Sequence, residues 1–433
     1  MKQKAPIRTI TLAGAVAIGI GGMVGGGIFA VLGEAVSLAH GATFVAFLIA
    51  GVVALLTAYS YAKLSVALPN RGGTVTFVDR AFQKNLLSGS VNLMLWMSYL
   101  VTISLYATAF AYYGGTFFSE EPTFWVHHGL ITFAIILPML INLVSASFVS
   151  RTETLFVFMK VFLLLLVVIS GFFFVDPERL SPKQWEAPLA IVTAGMIIFV
   201  AYEGFELIAN AAEDIIEPAK NLPRAFYASV LIVIFLYVTI SIVTVGVVDE
   251  SKMMAAKDYA LAIAAEPALG KWGFTLVAVA ALLSTFSAIN ATIYGNARLG
   301  YKLAKNGRLP RSLGQEKRHI PGVGVLVTSV LSIALANSIT LTDIAIIGSA
   351  GFLLIFFIVN VSAYRMREFI GANAFVTVMA LVLSALALVT LLYHTYSHNP
   401  LAIVVFTSFV VISILFEFFY GRLVRGHFFQ RSY

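Results

Sequence analysis

Apolar runs long enough to cross a lipid bilayer follow one another along the whole chain, and no other feature constrains its fold as much. About 30 Å of hydrocarbon takes roughly 20 helical residues. Twelve segments reach that length: 10–38, 42–68, 88–117, 126–149, 154–175, 188–213, 225–248, 272–301, 322–341, 343–364, 374–396 and 400–421. The narrowest division falls between the ninth and tenth, where only Thr340 to Asp343 interrupts the apolar pattern. Hydrophobic residues make up 60% of the chain and charged residues 11%, against about 25% charged in soluble proteins. One water-excluding core could not hide that much apolar surface. In lipid the backbone must satisfy its own hydrogen bonds, which helices do within each segment. The expected fold is all-α: a polytopic membrane protein of twelve transmembrane helices, with residues 1–433 forming a single membrane domain.

The net charge of +7 would suggest nucleic-acid binding in a soluble protein. Here the basic residues sit in the connectors, where they set orientation. With the N-terminus inside, twenty of the 28 Lys and Arg residues fall on the inner side; Arg179, Lys183, Lys252, Lys257 and Lys271 are the five outside. An even number of crossings returns the C-terminus inside. We therefore expect a multi-pass protein of the cytoplasmic membrane with both termini cytoplasmic, solvated by lipid and without a nucleic-acid partner. Lys2 to Arg8 followed by an apolar run mimics a signal peptide, but the run continues past Ala30 with no A-x-A site, so it reads as a retained first helix. The absence of cysteine excludes disulfides, thiol catalysis and thiolate metal sites. No H-E-x-x-H, G-x-S-x-G or phosphate loop is present, so no enzyme, metal or cofactor is expected. No obligate protein partner is indicated.

Two segments carry features that a plain spanning helix lacks. The first holds Gly19, Gly21, Gly22, Gly25, Gly26 and Gly27, and each glycine costs about 1 kcal/mol in a helix interior relative to alanine. Unwinding there would expose the backbone N–H groups of Gly26, Gly27 and Ile28 to a ligand, which is tolerated at that depth only beside a cavity or protein. Close packing through the Gly21/Gly25 pair is the competing explanation. The sixth segment places Glu203 and Glu206 around Gly204. Charges at mid-membrane face protein or water, and mark a binding site or a protonated or paired group that holds helices together. Breaks five helices apart fit an inverted repeat, in which half-helix N-termini face an anion and unwound carbonyls face a cation. A zwitterionic amino acid carries both on one carbon.

With these residues in view, the chain resembles the amino acid–polyamine–organocation superfamily of transporters. The likeness is carried by Gly25-Gly26-Gly27-Ile28-Phe29, Ala201-Tyr202-Glu203-Gly204-Phe205-Glu206, Ala211-Ala212-Glu213-Asp214 with Pro218 to Pro223, and Asn290-Ala291-Thr292-Ile293-Tyr294-Gly295 followed by Ala297-Arg298-Leu299 and Gly307-Arg308-Leu309-Pro310. It is most similar to archaeal broad-specificity, proton-coupled amino-acid permeases. The resemblance implies a LeuT-type 5+5 inverted repeat with helices one and six broken: a first repeat over 10–175, a second over 188–364, and two further helices over 374–421. It implies that the amides of Gly26, Gly27 and Ile28, in the run from Gly25, bind a substrate carboxylate. The carbonyls of Met23, Val200 and Glu203 would bind its amine, and Glu206 would gate or contact substrate. The chain departs from the family where Gly26 replaces serine or alanine and where Glu203 is acidic.

Lys160 in the fifth segment fills the place of a lysine that resembles, in proton-coupled relatives, a substitute for a sodium ion; Gly21 and Ser284 would be its partners. Burial and carbonyl acceptors push a lysine's proton affinity in opposite directions, so its charge can change during a cycle. The alternative is snorkelling from about 9 Å inside the helix. Asn92, Tyr99 and Tyr106 line a path or pack, and His127 and His128 form a loop pair. The reading is secondary active transport of amino acids by alternating access with proton symport. The alternative is an amino-acid or polyamine exchanger uncoupled from protons, in which Glu203 and Glu206 favour cationic substrates.

Overall fold

In the computed structural model of the chain, which describes residues 8–424 apart from 71, 120–121, 145 and 317–319, the first apolar run is split as its glycines suggest. Thr11 caps α1 (Leu12–Met23), its hydroxyl accepting from the Gly14 N–H at 3.3 Å. Val24–Gly26 interrupts the helix, and α2 (Gly27–Ala39) leaves at 48° to α1. The chain continues through α3 (Thr43–Ala67), short α4 (Gly73–Phe82), α5 (Leu86–Gly115), α6 (Phe124–Val144) and α7 (Ala146–Gly171). The sixth run opens with α8 (Pro188–Ile197), tightens into a 3₁₀ helix over Ile198–Glu206 and ends in α9 (Leu207–Asn210). Then come α10 (Pro218–Val247), α11 (Glu250–Ala255), α12 (Ala260–Lys305), α13 (Gly322–Ala336), α14 (Leu341–Arg365), α15 (Arg367–Ile370), α16 (Ala374–His398) and α17 (Pro400–Val424). No sheet occurs among the described residues; two isolated bridges, Ile10–Ile215 and His40–Trp185, pin chain segments together.

The architecture is all-α, and the apolar side chains point outward as lipid demands. Trp125, Phe158, Phe375, Val389 and Leu423 are more than 60% exposed on α6, α7, α16 and α17. The interior instead holds polar ties between helices: Asn360 Nδ2 donates to Thr57 Oγ1, the Ala380 carbonyl and Ser384 Oγ, each at 3.2 Å. Tyr61, Phe77, Phe205, Phe226 and Phe356 stack mostly edge to face behind the sixth run.

Several expectations are adjusted. Ten helices among the described residues are long and apolar enough to span, and α1 with α2 makes an eleventh. The ninth run yields only the 15-residue α13, about 22 Å long, because the helix stops at Ala336, well before the next one begins. Helix α14 starts at a capping box in which Thr340 Oγ1 accepts from the Asp343 N–H at 3.2 Å and Asp343 Oδ2 accepts from the Thr340 N–H at 3.3 Å. The expected connector at 150–153 is helical, since α7 begins at Ala146. Residues 200–206 are wound as 3₁₀ rather than unwound, in a run longer than this helix type commonly sustains. His127 and His128 lie in the first turn of α6, where His128 Nδ1 meets Asn337 Oδ1 at 2.7 Å. The basic residues Lys2, Lys4, Arg71, Lys317, Arg318, Arg425 and Arg431 lie outside the described residues.

The two interrupted runs touch. A Cβ on Gly22 would sit 2.5 Å from the Gly204 carbonyl oxygen, so backbone meets backbone with no room for a side chain. Gly22→Ala should therefore lower the thermal midpoint of the detergent-solubilised protein through overpacking, at a cost of about 1–3 kcal/mol. Gly129→Ala, whose Cβ would have nothing within 4 Å on α6, should leave the midpoint unchanged or raise it by up to about 1 kcal/mol.

Candidate functional site

Where the two runs meet, a cavity of about 580 Å³ opens. Gly21 and Gly22 of α1, Glu203, Gly204 and Glu206 of the 3₁₀ segment, Tyr99 and Tyr106 of α5, Lys160 of α7 and Ser287 of α12 line its inner part. Asn210, Tyr301, Lys302, Lys305 and Glu316 line its mouth. That mouth lies at the end of the bundle where the N–H groups of Thr9 and Ile10 donate to the Asp214 carbonyl at 2.9 Å. The opposite end is shut. Lys257 pairs with Glu34, Thr342 Oγ1 donates to Glu34 Oε2 at 2.9 Å, and Tyr113 Oη donates to the Phe29 carbonyl at 3.3 Å.

The two carboxylates of the sixth run are both buried in the wall but differ in their partners. Glu206 accepts from Tyr61 Oη at 3.0 Å, from Thr74 Oγ1 at 2.9 Å and from Tyr99 Oη. Three hydroxyls from α3, α4 and α5 thus converge on it, and Tyr61 Oη and Thr74 Oγ1 also meet each other at 2.8 Å. Glu203 accepts from Thr102 Oγ1 at 2.9 Å through Oε1, and its Oε2 has no hydrogen-bond partner among the described residues.

Of the residues singled out in the sequence, Gly21, Lys160, Glu203 and Glu206 lie in the cavity wall. Met23, Gly25, Gly26, Gly27, Ile28 and Val200 stand behind it, each packed against a neighbour. The Met23 carbonyl accepts from Tyr237 Oη at 2.7 Å, and the Val200 N–H donates to Ser349 Oγ at 2.9 Å. The Tyr106 ring lies on Gly26, Gly27 packs on Ala201, and Ile28 is fully buried. The first amides of α2 have no carbonyl one turn earlier in their own helix to bond, so they keep donor capacity; the Tyr106 ring fills the place where a side chain on Gly26 would sit. Ser284 is not in the wall. Its hydroxyl bonds the Val24 carbonyl at 3.1 Å and the Gly25 carbonyl, tying α12 to the break in helix one.

Lys160 is 4% exposed. It lies about 21 Å from the start of α7, farther than a lysine stem reaches, because the helix begins eight residues earlier than its apolar pattern suggests. Its side chain is buried in the cavity wall. Asn92 is removed from the path, since it donates to Asp79 at 2.9 Å. Asp79 also pairs with the buried Arg308 at 2.7 Å, beside the mouth; burial pushes its carboxyl up, and the guanidinium pulls it back down. Sequence reading missed Tyr61, Thr74, Thr102, Tyr237 and Ser349. A lone hydroxyl in an apolar helix carries no periodic signal; the only available clue was that Glu206 would need donors.

The comparisons with known proteins agree with one another. Residues 10–422 match a family described as amino acid permease. An uncharacterised protein of Methanocaldococcus jannaschii is 32% identical over 98% of both chains. The inner membrane transport protein YbaT of Escherichia coli is 30% identical over 92% of this chain and 93% of its own. The branched-chain amino acid permease BcaP of Bacillus subtilis is 24% identical over 94% and 91%.

Removing one partner of a buried hydrogen bond costs about 1–3 kcal/mol. Tyr99→Phe and Thr74→Val should each lower the thermal midpoint by an amount of that order, and should do so less than additively in the double variant because Glu206 is shared. An additive pair would show that the two hydroxyls do not act on one carboxylate.

Proposed function

The chain belongs to the amino acid permease family, and on that premise we propose that it moves amino acids across the cytoplasmic membrane by alternating access, in symport with protons. It is a transporter rather than an enzyme, set in a membrane as a multi-pass protein, with amino acids as its cargo. The observation that carries the proposed mechanism is a cavity at the meeting of two interrupted helices, open at one end and sealed by Lys257, Glu34 and Thr342 at the other. A site reached from one side at a time is what alternating access requires. With the N-terminal end in the cytoplasm, as the basic connectors indicate, this is the inward-open form. The repeats are read as 10–175 and 188–364, with 374–421 outside them.

In this reading the substrate carboxylate passes Tyr106 to reach the amides of Gly26, Gly27 and Ile28, and the partial positive charge of the α2 N-terminus favours it there. The amine faces the carbonyls of Met23, Val200 and Glu203. The Met23 carbonyl already accepts from Tyr237, and its second lone pair is the one read as facing the amine. Lys160 supplies the coupling. Its buried ammonium beside Gly21 holds α7 to α1 when charged and frees it when neutral.

Proteoliposomes test this. The wild type should accumulate amino acids when the pH gradient is imposed and only equilibrate them without it. Lys160→Ala should lose gradient-driven accumulation, down to the level of protein-free vesicles, while still exchanging bound substrate. Gradient-driven uptake by Lys160→Ala with wild-type kinetics would remove the lysine from the mechanism. Equal exchange by the wild type with and without a gradient would favour the uncoupled exchanger.

A further inference from the structure

Glu203 and Glu206 stand one 3₁₀ turn apart in the same wall, and the protein supplies them unequally. Glu206 is met by three hydroxyls from three other helices. Glu203 is met by one, from Thr102, although it is only 3% exposed. A carboxylate presents about four acceptor positions, and leaving one empty in a buried place is costly. The Oε2 atom of Glu203 is shielded from water as well as from protein donors among the described residues.

The geometry points to Glu203 as the residue that receives a second positive charge carried on the substrate's side chain. Once the carboxylate turns toward the cavity that Glu203 lines, a side-chain ammonium or guanidinium supplies the donor that Oε2 lacks, so the substrate class is cationic amino acids. The assignment rests on the reading of the cavity as an amino-acid site. Position favours the side chain over the α-amine. The α-carboxylate is read against the amides of helix one and the α-amine against backbone carbonyls, so the substrate's side chain is the group left to meet the Glu203 carboxylate, which lines the cavity. Glu206 cannot serve in its place without giving up the hydroxyls that hold it. The mouth does not select in this way: Lys302 and Lys305 attract the carboxylate that every amino acid carries, so discrimination by side-chain charge falls to the interior.

Competition in proteoliposomes separates the possibilities, with full-length protein and L-lysine set against L-norleucine, which lacks only the terminal ammonium. Wild type should bind lysine at least about tenfold more tightly, since a site built to meet a polar group rejects the analogue lacking it. Glu203→Gln should bring the two to within about threefold. Glu203→Asp, which keeps the charge on a shorter stem, should retain part of the preference and serves if the glutamine variant does not insert. No preference in wild type, or a lysine preference that survives in Glu203→Gln, overturns the assignment. Loss of proton dependence in Glu203→Gln with the lysine preference intact also overturns it, and makes the residue a proton carrier. Failure of wild type to take up any amino acid would sink the underlying functional reading instead, and is a different result.

Discussion

Inside a bilayer no water is at hand to satisfy a peptide group, and every interruption of a helix must be answered by protein. In this chain the answer is that the two interruptions answer each other. Gly22 rests on Gly204, the Met23 and Ala201 carbonyls share Tyr237, and Ser284 closes the carbonyls of Val24 and Gly25. The rest of the architecture follows from this. Helices α3, α5, α10 and α12 pack around the junction, and the lipid-facing helices α6, α16 and α17 need only be apolar on the outside. A cavity can exist at that depth because the polar backbone beside it is already accounted for.

The same constraint sorts the site's polar side chains by how fully they are met. Glu206 is surrounded by donors and works as a joint between α3, α4, α5 and the sixth run. The hydroxyls of Ser349 and Tyr237 do similar service for backbone groups, Ser349 by accepting from the Val200 N–H and donating to the Ile197 carbonyl at 2.5 Å. Groups left incomplete, such as the far oxygen of Glu203, stand out against this background.

The membrane class, the split between α13 and α14, and the two positions of helix interruption were legible in the sequence, because length, glycine density and intramembrane charge are local signals. The capping pair Thr340 and Asp343 could be read in the same way, as a break in an apolar run. What could not be read were features decided between helices. The start of α7 depends on whether a polar stretch, Ser150-Arg151-Thr152-Glu153, stays helical beyond the lipid, and composition does not decide that. The 3₁₀ winding of 198–206 arises where glycine meets glycine across two runs. The packing of the Tyr106 ring on Gly26 is a contact between residues eighty positions apart, and neither position announces it. Lys160 stood out in the sequence as a charge inside an apolar helix, and it lies in the cavity wall.

Helix α12 carries a further consequence. It is interrupted at Gly270, whose φ of 62 is left-handed and whose surroundings are open. The turn bearing Lys257 and the helix that follows it form a short arm on one side of that joint; the long rod with Lys302 and Lys305 lies on the other. With an elbow between them, the seal at Lys257 and the rod bearing Lys302 are not parts of one straight helix, and the packing of either does not dictate the axis of the other.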